Sequence, residues 1–190
     1  MEDKPNNRVL IVGCGDIGRR VAQRLHSAGQ SVAGVVRSAA SAAQLQSAGI
    51  AARQCDLDVV PLPPACVAGF RDIFYFAPPP PTGAGDPRMT GFLAALDEQP
   101  RPRRLVYIST SAVYGDCHGV WITEAQPPNP TTPRGERRLA AERELQAWAE
   151  ARGVQWIILR VPGIYGPGKL PLGRLQKGLP VLREADAPWT

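Results

Sequence analysis

The sequence predicts a doubly wound α/β fold on a parallel sheet, and three observations carry that expectation. Short β-rich runs alternate with stretches of helical periodicity along the 190 residues. The first two runs, RVLIVG (8–13) and SVAGVVR (31–37), are separated by Ile17, Val21, Leu25 and Ala28 at helical spacing, which makes one β–α–β unit with parallel strands and a right-handed crossover. Proline- and glycine-rich stretches, PLPP (61–64), APPPPTGAGDP (77–87) and AQPPNPTTP (125–133), punctuate the pattern as loops.

The remaining elements follow in order. A helix is expected over roughly 41–48 and a short strand over 50–53. DIFYFA (72–77), RLVYIST (104–110) and VQWIILRV (154–161) are apolar, aromatic and β-branched runs that read as strands. Helices are expected over roughly 88–98 and 134–151. In the last of these, PRGERRLAAE (133–142) sets Arg134 and Arg138 one turn apart on the stripe that carries Ala141, Leu145 and Trp148. Two permanent cations therefore point at the expected core.

A composition of 44% hydrophobic and 21% charged residues fits one globular domain with a sizeable core, or one domain and the beginning of another. The net charge of +5 and pI near 9.3 come from arginines spread along the chain. Without a polybasic run or interleaved aromatics, that balance implies phosphate-bearing small molecules as partners, not nucleic acid. Cys14, Cys55, Cys66 and Cys117 show neither metal-ligand nor redox spacing, so no metal is expected. MEDKPNNR at the start has no apolar core, and no stretch is long enough for a membrane span. A reducing, cytoplasmic setting is the default expectation.

The first chemical signal lies where the first strand meets the first helix. VGCGDIGRR places Gly13, Gly15 and Gly18 in GxGxxG spacing, with Asp16 and Ile17 opening the helix. Gly13 suits the tight turn, Gly15 admits a pyrophosphate to the backbone, and Gly18 allows close helix–sheet packing. The helix N-terminus adds exposed N–H groups and partial positive charge. These residues are the candidate cofactor cradle of a Rossmann-type sheet. At the end of the second strand, Arg37 and Ser38 stand where an NAD site usually has a carboxylate, and Arg19 offers a second cation. NADP(H) is therefore expected in preference to NAD(H).

The glycine motif, CDL (55–57), VYISTSAVYGD (106–116), LAAE (139–142) and LRVPGIYGPG (159–168) together resemble the extended and atypical short-chain dehydrogenase/reductases, the NAD(P)-dependent epimerase/dehydratase group. The resemblance implies that Asp56 and Leu57 lie beside the adenine and that Ala77 and Pro78 pass close to the cofactor. It implies a substrate-orienting hydroxyl at Thr110, four residues before Tyr114. The usual YxxxK pair falls on Arg134 and Arg138, where this sequence departs from the pattern. A guanidinium has only donor hydrogens and does not exchange a proton at neutral pH.

Arg138 could replace the ribose-binding lysine, and Arg134 could hold a carboxylate or phosphate of the substrate. The bland alternative turns both side chains to solvent, with Arg138 paired to Glu142. Tyr114, then Tyr165, are the candidate proton donors, their acidity to be raised by the two arginines. The expected division is a dinucleotide-binding domain over 1–161 and the start of a substrate-binding region over 162–190, because the related enzymes continue further with a smaller lobe. The expected activity is hydride transfer on a sugar-like or anionic carbonyl substrate, a nucleotide sugar among the candidates, and a homodimer is compatible with it. The alternative is a catalytically silent NADP(H) sensor or interaction protein.

Overall fold

Alternating apolar runs and helices close into one parallel sheet in the computed structural model, which describes residues 8–166 and 176–178. The strands are β1 (Arg8–Val12), β2 (Ser31–Val36), β3 (Ala51–Gln54), β4 (Asp72–Tyr75), β5 (Arg104–Thr110) and β6 (Gln155–Val161). Between them run α1 (Asp16–Ser27), α2 (Ala39–Ser47), α3 (Pro87–Asp97) and α4 (Pro133–Arg152), with short 3-10 turns at Pro64–Cys66 and Ser111–Tyr114. The sheet order is β3-β2-β1-β4-β5-β6, with every neighbouring pair parallel. The chain thus winds outward from β1 in both directions, and the strand order reverses between β1 and β4. That reversal opens a crevice at the carboxyl ends of the strands.

The two faces bury separate cores, as period-2 alternation requires. Val9, Ile11, Val32 and Val36 pack against Ala22 of α1 and Leu45 of α2. Leu10, Val12, Ile73, Tyr75, Leu105 and Tyr107 face the opposite way, onto Met89, Phe92 and Leu96 of α3 and Leu145 and Trp148 of α4. Among the described residues no helix is long and apolar enough to cross a membrane.

The helix ends are chemically marked. Asp86 caps α3, accepting the N–H groups of Arg88 at 3.1 Å and Met89 at 3.2 Å. Thr132 caps α4 by accepting the Gly135 N–H at 3.1 Å, with Pro133 in the first turn and left-handed Gly153 at the end. Most boundaries shift by a residue or two, and three of the shifts bear on the site. β2 stops at Val36, so Arg37 leaves the sheet. β4 stops at Tyr75, because the Ala77 backbone must pass directly over Gly13. α2 begins at Ala39, two residues early, because Ser38 caps it by accepting the Ser41 N–H at 3.2 Å.

The cysteines also depart from expectation. Cys55 and Cys66 are joined in a disulfide that ties the end of β3 to the Pro64–Cys66 turn. Their separation of 11 residues has no motif character, so spacing alone carries no sign of the pairing.

Candidate functional site

At the carboxyl edge of the sheet a cleft of about 900 Å³ runs from the end of β2 across β1 and β4 to β5 and α4. Its centre is the turn from β1 to α1. Gly13 has φ +80°, and a Cβ there would lie 2.4 Å from the Ala77 backbone nitrogen, so glycine is required both for conformation and for the passage of the chain after β4. Gly18 lies close under the turn, its Cβ position 3.0 Å from the Gly13 carbonyl oxygen. A Cβ on Gly15 would meet no protein atom within 4 Å: it would project into the open cleft. Gly15 caps α1 without a side chain, so the cap position itself offers no side-chain oxygen to the first-turn N–H groups of Ile17 and Gly18. This arrangement fits a pyrophosphate, with space over Gly15 and uncapped donors beside it.

Most of the expected site residues line this one cleft: Gly13, Gly15, Asp16, Ile17, Gly18, Arg37, Asp56, Leu57, Ala77, Pro78, Thr110, Arg134 and Arg138. Ser38 does not. Its hydroxyl is spent on capping α2, and Ser41, one turn later, lines the cleft instead. Tyr114 is also outside the lining. The Ser111–Tyr114 turn carries its ring beneath Arg160, whose guanidinium carbon lies 4.7 Å from the ring centroid. Neither Arg134 nor Arg138 supplies the cation expected beside this phenol. Tyr165 is 82% exposed and lies outside the lining, and the last residues of YGPG, 167 and 168, lie outside the described residues.

Thr110 ends β5 with its Oγ1 accepting the Ala112 N–H at 3.3 Å. The hydroxyl proton remains available to donate. Arg138 is buried, donating from Nη1 to the Ile108 carbonyl at 2.8 Å and to the Tyr107 hydroxyl at 3.1 Å. Burial pushes the Tyr107 phenol up to about 12 against the pull of Arg138, so it stays neutral. The pairing of Arg138 with Glu142 does not form, because Glu142 is held by Arg160 at 2.8 Å. Arg134 is exposed at the cleft mouth.

Several cleft residues had no signal in the sequence. Arg88, the second residue of α3, forks onto Asp58 at 2.6 and 2.7 Å and donates to the Pro78 carbonyl at 3.0 Å, which stitches the loop after β3 to the loop after β4. These bonds hold the Asp58 carboxyl below the usual carboxylate range, with a smaller contribution from the charges of Arg88 and Arg37. Burial pushes the Cys14 thiol, behind the glycine turn, up to about 11. The buried Ser109 hydroxyl, at the end of β5, has no hydrogen-bond partner among the described residues. Single polar residues at element ends and in loops carry no periodic signature that could have marked them.

Over residues 89–183 the sequence matches the NAD dependent epimerase/dehydratase family, and over residues 9–72 the ketopantoate reductase PanE/ApbA family. It is similar to the UDP-glucose 4-epimerase of Halalkalibacterium halodurans, at 37% identity over 73 residues that make up 38% of this chain and 21% of that protein. It also resembles the structure of a functionally unknown conserved protein from Silicibacter pomeroyi, with TM-score 0.68, 27% identity, and coverage of 89% of this chain and 57% of that one. UDP-glucuronic acid 4-epimerase from Bacillus cereus, in complex with NAD, shares the fold at TM-score 0.72 and 20% identity, covering 91% of this chain and 64% of that one. The matches therefore span about a fifth of the curated relative and less than two thirds of either solved chain.

The Bacillus cereus enzyme holds NAD in two further structures as well. That overturns the expected preference for NADP. The physical reason lies in the two cations expected to clamp a 2′-phosphate. Arg19 donates to Gln44, and Arg37 faces a rim that carries the Asp56 and Asp58 carboxylates, with its charge felt by Asp58.

Proposed function

The chain belongs to the NAD dependent epimerase/dehydratase family, and from that premise we propose that it binds NAD(H) in the cleft and acts by hydride transfer on a sugar-like or anionic carbonyl substrate. The observation that carries the reading is the sharing of one cleft by the glycine turn, the Thr110 hydroxyl and the guanidiniums of Arg134 and Arg138. The Gly13–Gly18 turn and the first-turn N–H groups of α1 would hold the pyrophosphate. Asp56 and Leu57 would flank the adenine on one side, with Ala77 and Pro78 forming the opposite wall. Bound NAD would supply reversible hydride acceptance.

On the substrate side, Thr110 donates its hydroxyl proton to a substrate oxygen. Arg138, locked to the Ile108 carbonyl, and Arg134, at the mouth, stabilise negative charge that develops on that oxygen. Neither exchanges a proton. Pro162, Gly163 and Ile164 line the same cleft, and on this reading they lie on the substrate side.

A second reading has its own observation: no tyrosine, lysine or histidine lines the cleft among the described residues. A protein that binds NAD(H) and reports redox state to a partner would need none. Incubation with NAD and a panel of UDP- and dTDP-hexoses, followed by NMR, separates the two. The catalytic reading expects an altered sugar, with turnover falling by about 100-fold in Thr110→Val. Saturable NAD binding with every sugar unchanged supports the sensor.

A further inference from the structure

Behind the cleft lies a smaller cavity of about 350 Å³ between the chain after β4 and the first two turns of α4. Its lining is Pro78, Pro79, Pro80 and Pro81 on one side and Arg134, Arg137 and Arg138 on the other. Pro78, Arg134 and Arg138 line the large cleft as well, so the two spaces share a wall.

Among the described residues the charges in this cavity have no ion-pair partner. Arg137 and Arg138 are only 8% and 7% exposed, and the Nε of each is buried with no hydrogen-bond partner. Arg137 donates from Nη1 to the Gly83 carbonyl at 3.2 Å, and Arg138 bonds only the neutral oxygens of Tyr107 and Ile108. Among the described residues no carboxylate forms an ion pair with any of the three arginines. Glu142 is taken by Arg160. Asp86, the acid whose charge Arg138 does feel, accepts the Arg88 and Met89 N–H groups with one oxygen and reaches no guanidinium in the cavity. The proline wall adds no N–H donor and no charge. Burying guanidiniums without counter-charge is costly, and an anion seated between them removes that cost.

We propose that this cavity binds a compact oxyanion, a phosphoryl or carboxylate group carried by the substrate, with Arg137 as its principal buried ligand. The inference rests on the cofactor reading above, since the shared wall would place the rest of such a substrate in the cleft beside Thr110. It assigns Arg137 as a binding residue and restricts the substrate class to anions.

The test is a calorimetric titration of the full chain with inorganic phosphate and, separately, malonate, each at ionic strength held constant with KCl. Saturable binding of either supports the site, and the tighter of the two identifies the group it takes. Arg137→Gln is expected to weaken that binding at least tenfold and Arg137→Lys to restore part of it. Arg134→Gln, a change at an exposed position that leaves the core intact, is expected to weaken it too. No saturable heat from either anion in the folded wild-type protein, or equal binding in all variants, overturns the proposal. A parallel NADH titration keeps the two readings apart: NADH binding without anion binding removes this inference alone, and anion binding without NADH binding removes the cofactor reading alone.

Discussion

Cys14 shows how a residue beside a functional turn can tie stability to pH. Burial raises its thiol from the ordinary 9.0 to about 11. Between those values the unfolded chain has lost the proton and the folded chain has kept it, so stability falls as pH rises. The stabilisation is complete below pH 9 and is lost by about pH 11, an effect of roughly 2–3 kcal/mol. Tyr107 shifts in the same direction, so the difference between wild type and Cys14→Ala isolates the thiol. Urea unfolding at pH 8 and pH 10.5 is expected to show the wild type losing more stability than the variant; parallel losses would contradict it. Glu142 and Arg160 make a second local case, with side chains 3% and 21% exposed and 2.8 Å apart. Glu142→Gln leaves Arg160 without its counter-charge and is expected to cost about 3 kcal/mol in urea unfolding at pH 7. At this scale the sequence was readable in part. Helical spacing put both Arg134 and Arg138 on the inward stripe of α4; Arg138 is buried there, whereas Arg134, in the first turn, is exposed. Arg137, one turn before Ala141, sits at the edge of that stripe, and its burial is completed by the proline-rich chain after β4, whose path no periodicity sets. The ring of Tyr114 is carried away from the cleft by a 3-10 turn that has no signature of its own.

Two of the close approaches that exclude a Cβ shape the cleft. At Gly13 the chain after β4 crosses the turn from β1 to α1, leaving no room for a Cβ. Gly13→Ala adds a left-handed alanine to a backbone clash, and is expected to cost about 2–4 kcal/mol in the unfolding free energy. A loss below about 0.5 kcal/mol would mean the crossing is looser than described. Gly135 has the same part at the start of α4, where a Cβ would stand 2.9 Å from the Ala112 carbonyl oxygen of the Ser111–Tyr114 turn. That approach brings Arg134 and Arg138 to the side of Thr110. Strand and helix identities were legible throughout, because β-branched runs and apolar spacing mark them directly. Their ends were less so. Ser38 is expected as a cofactor neighbour from its place at the end of the second strand, and the Ser41 N–H that it accepts makes it the cap of α2 instead.

The whole molecule is a sheet whose strand order reverses beside the one turn built from Gly13, Gly15 and Gly18. Sequence alternation was enough to expect a doubly wound parallel sheet with right-handed crossovers, though not the order of its strands. It was not enough to pair Cys55 with Cys66, which meet because β3 ends beside the Pro64–Cys66 turn. Reducing that bridge frees a loop whose ends are 11 residues apart, and is expected to lower stability by about 2–3 kcal/mol, read as a shift of the urea midpoint in dithiothreitol against Cys55→Ser/Cys66→Ser. An unshifted midpoint would mean the bridge leaves the unfolded chain as free as before. The central claim is that the space over Gly15 is where NAD(H) lies. Gly15→Ala tests it most directly, because the added methyl meets no protein atom and acts only on what occupies the cleft. The decisive measurement is an NADH fluorescence titration of wild type and Gly15→Ala, with urea unfolding of both. Saturable binding to wild type, weakened at least tenfold in the variant at unchanged stability, is the expected result; equal binding in both, or none in wild type, would contradict it.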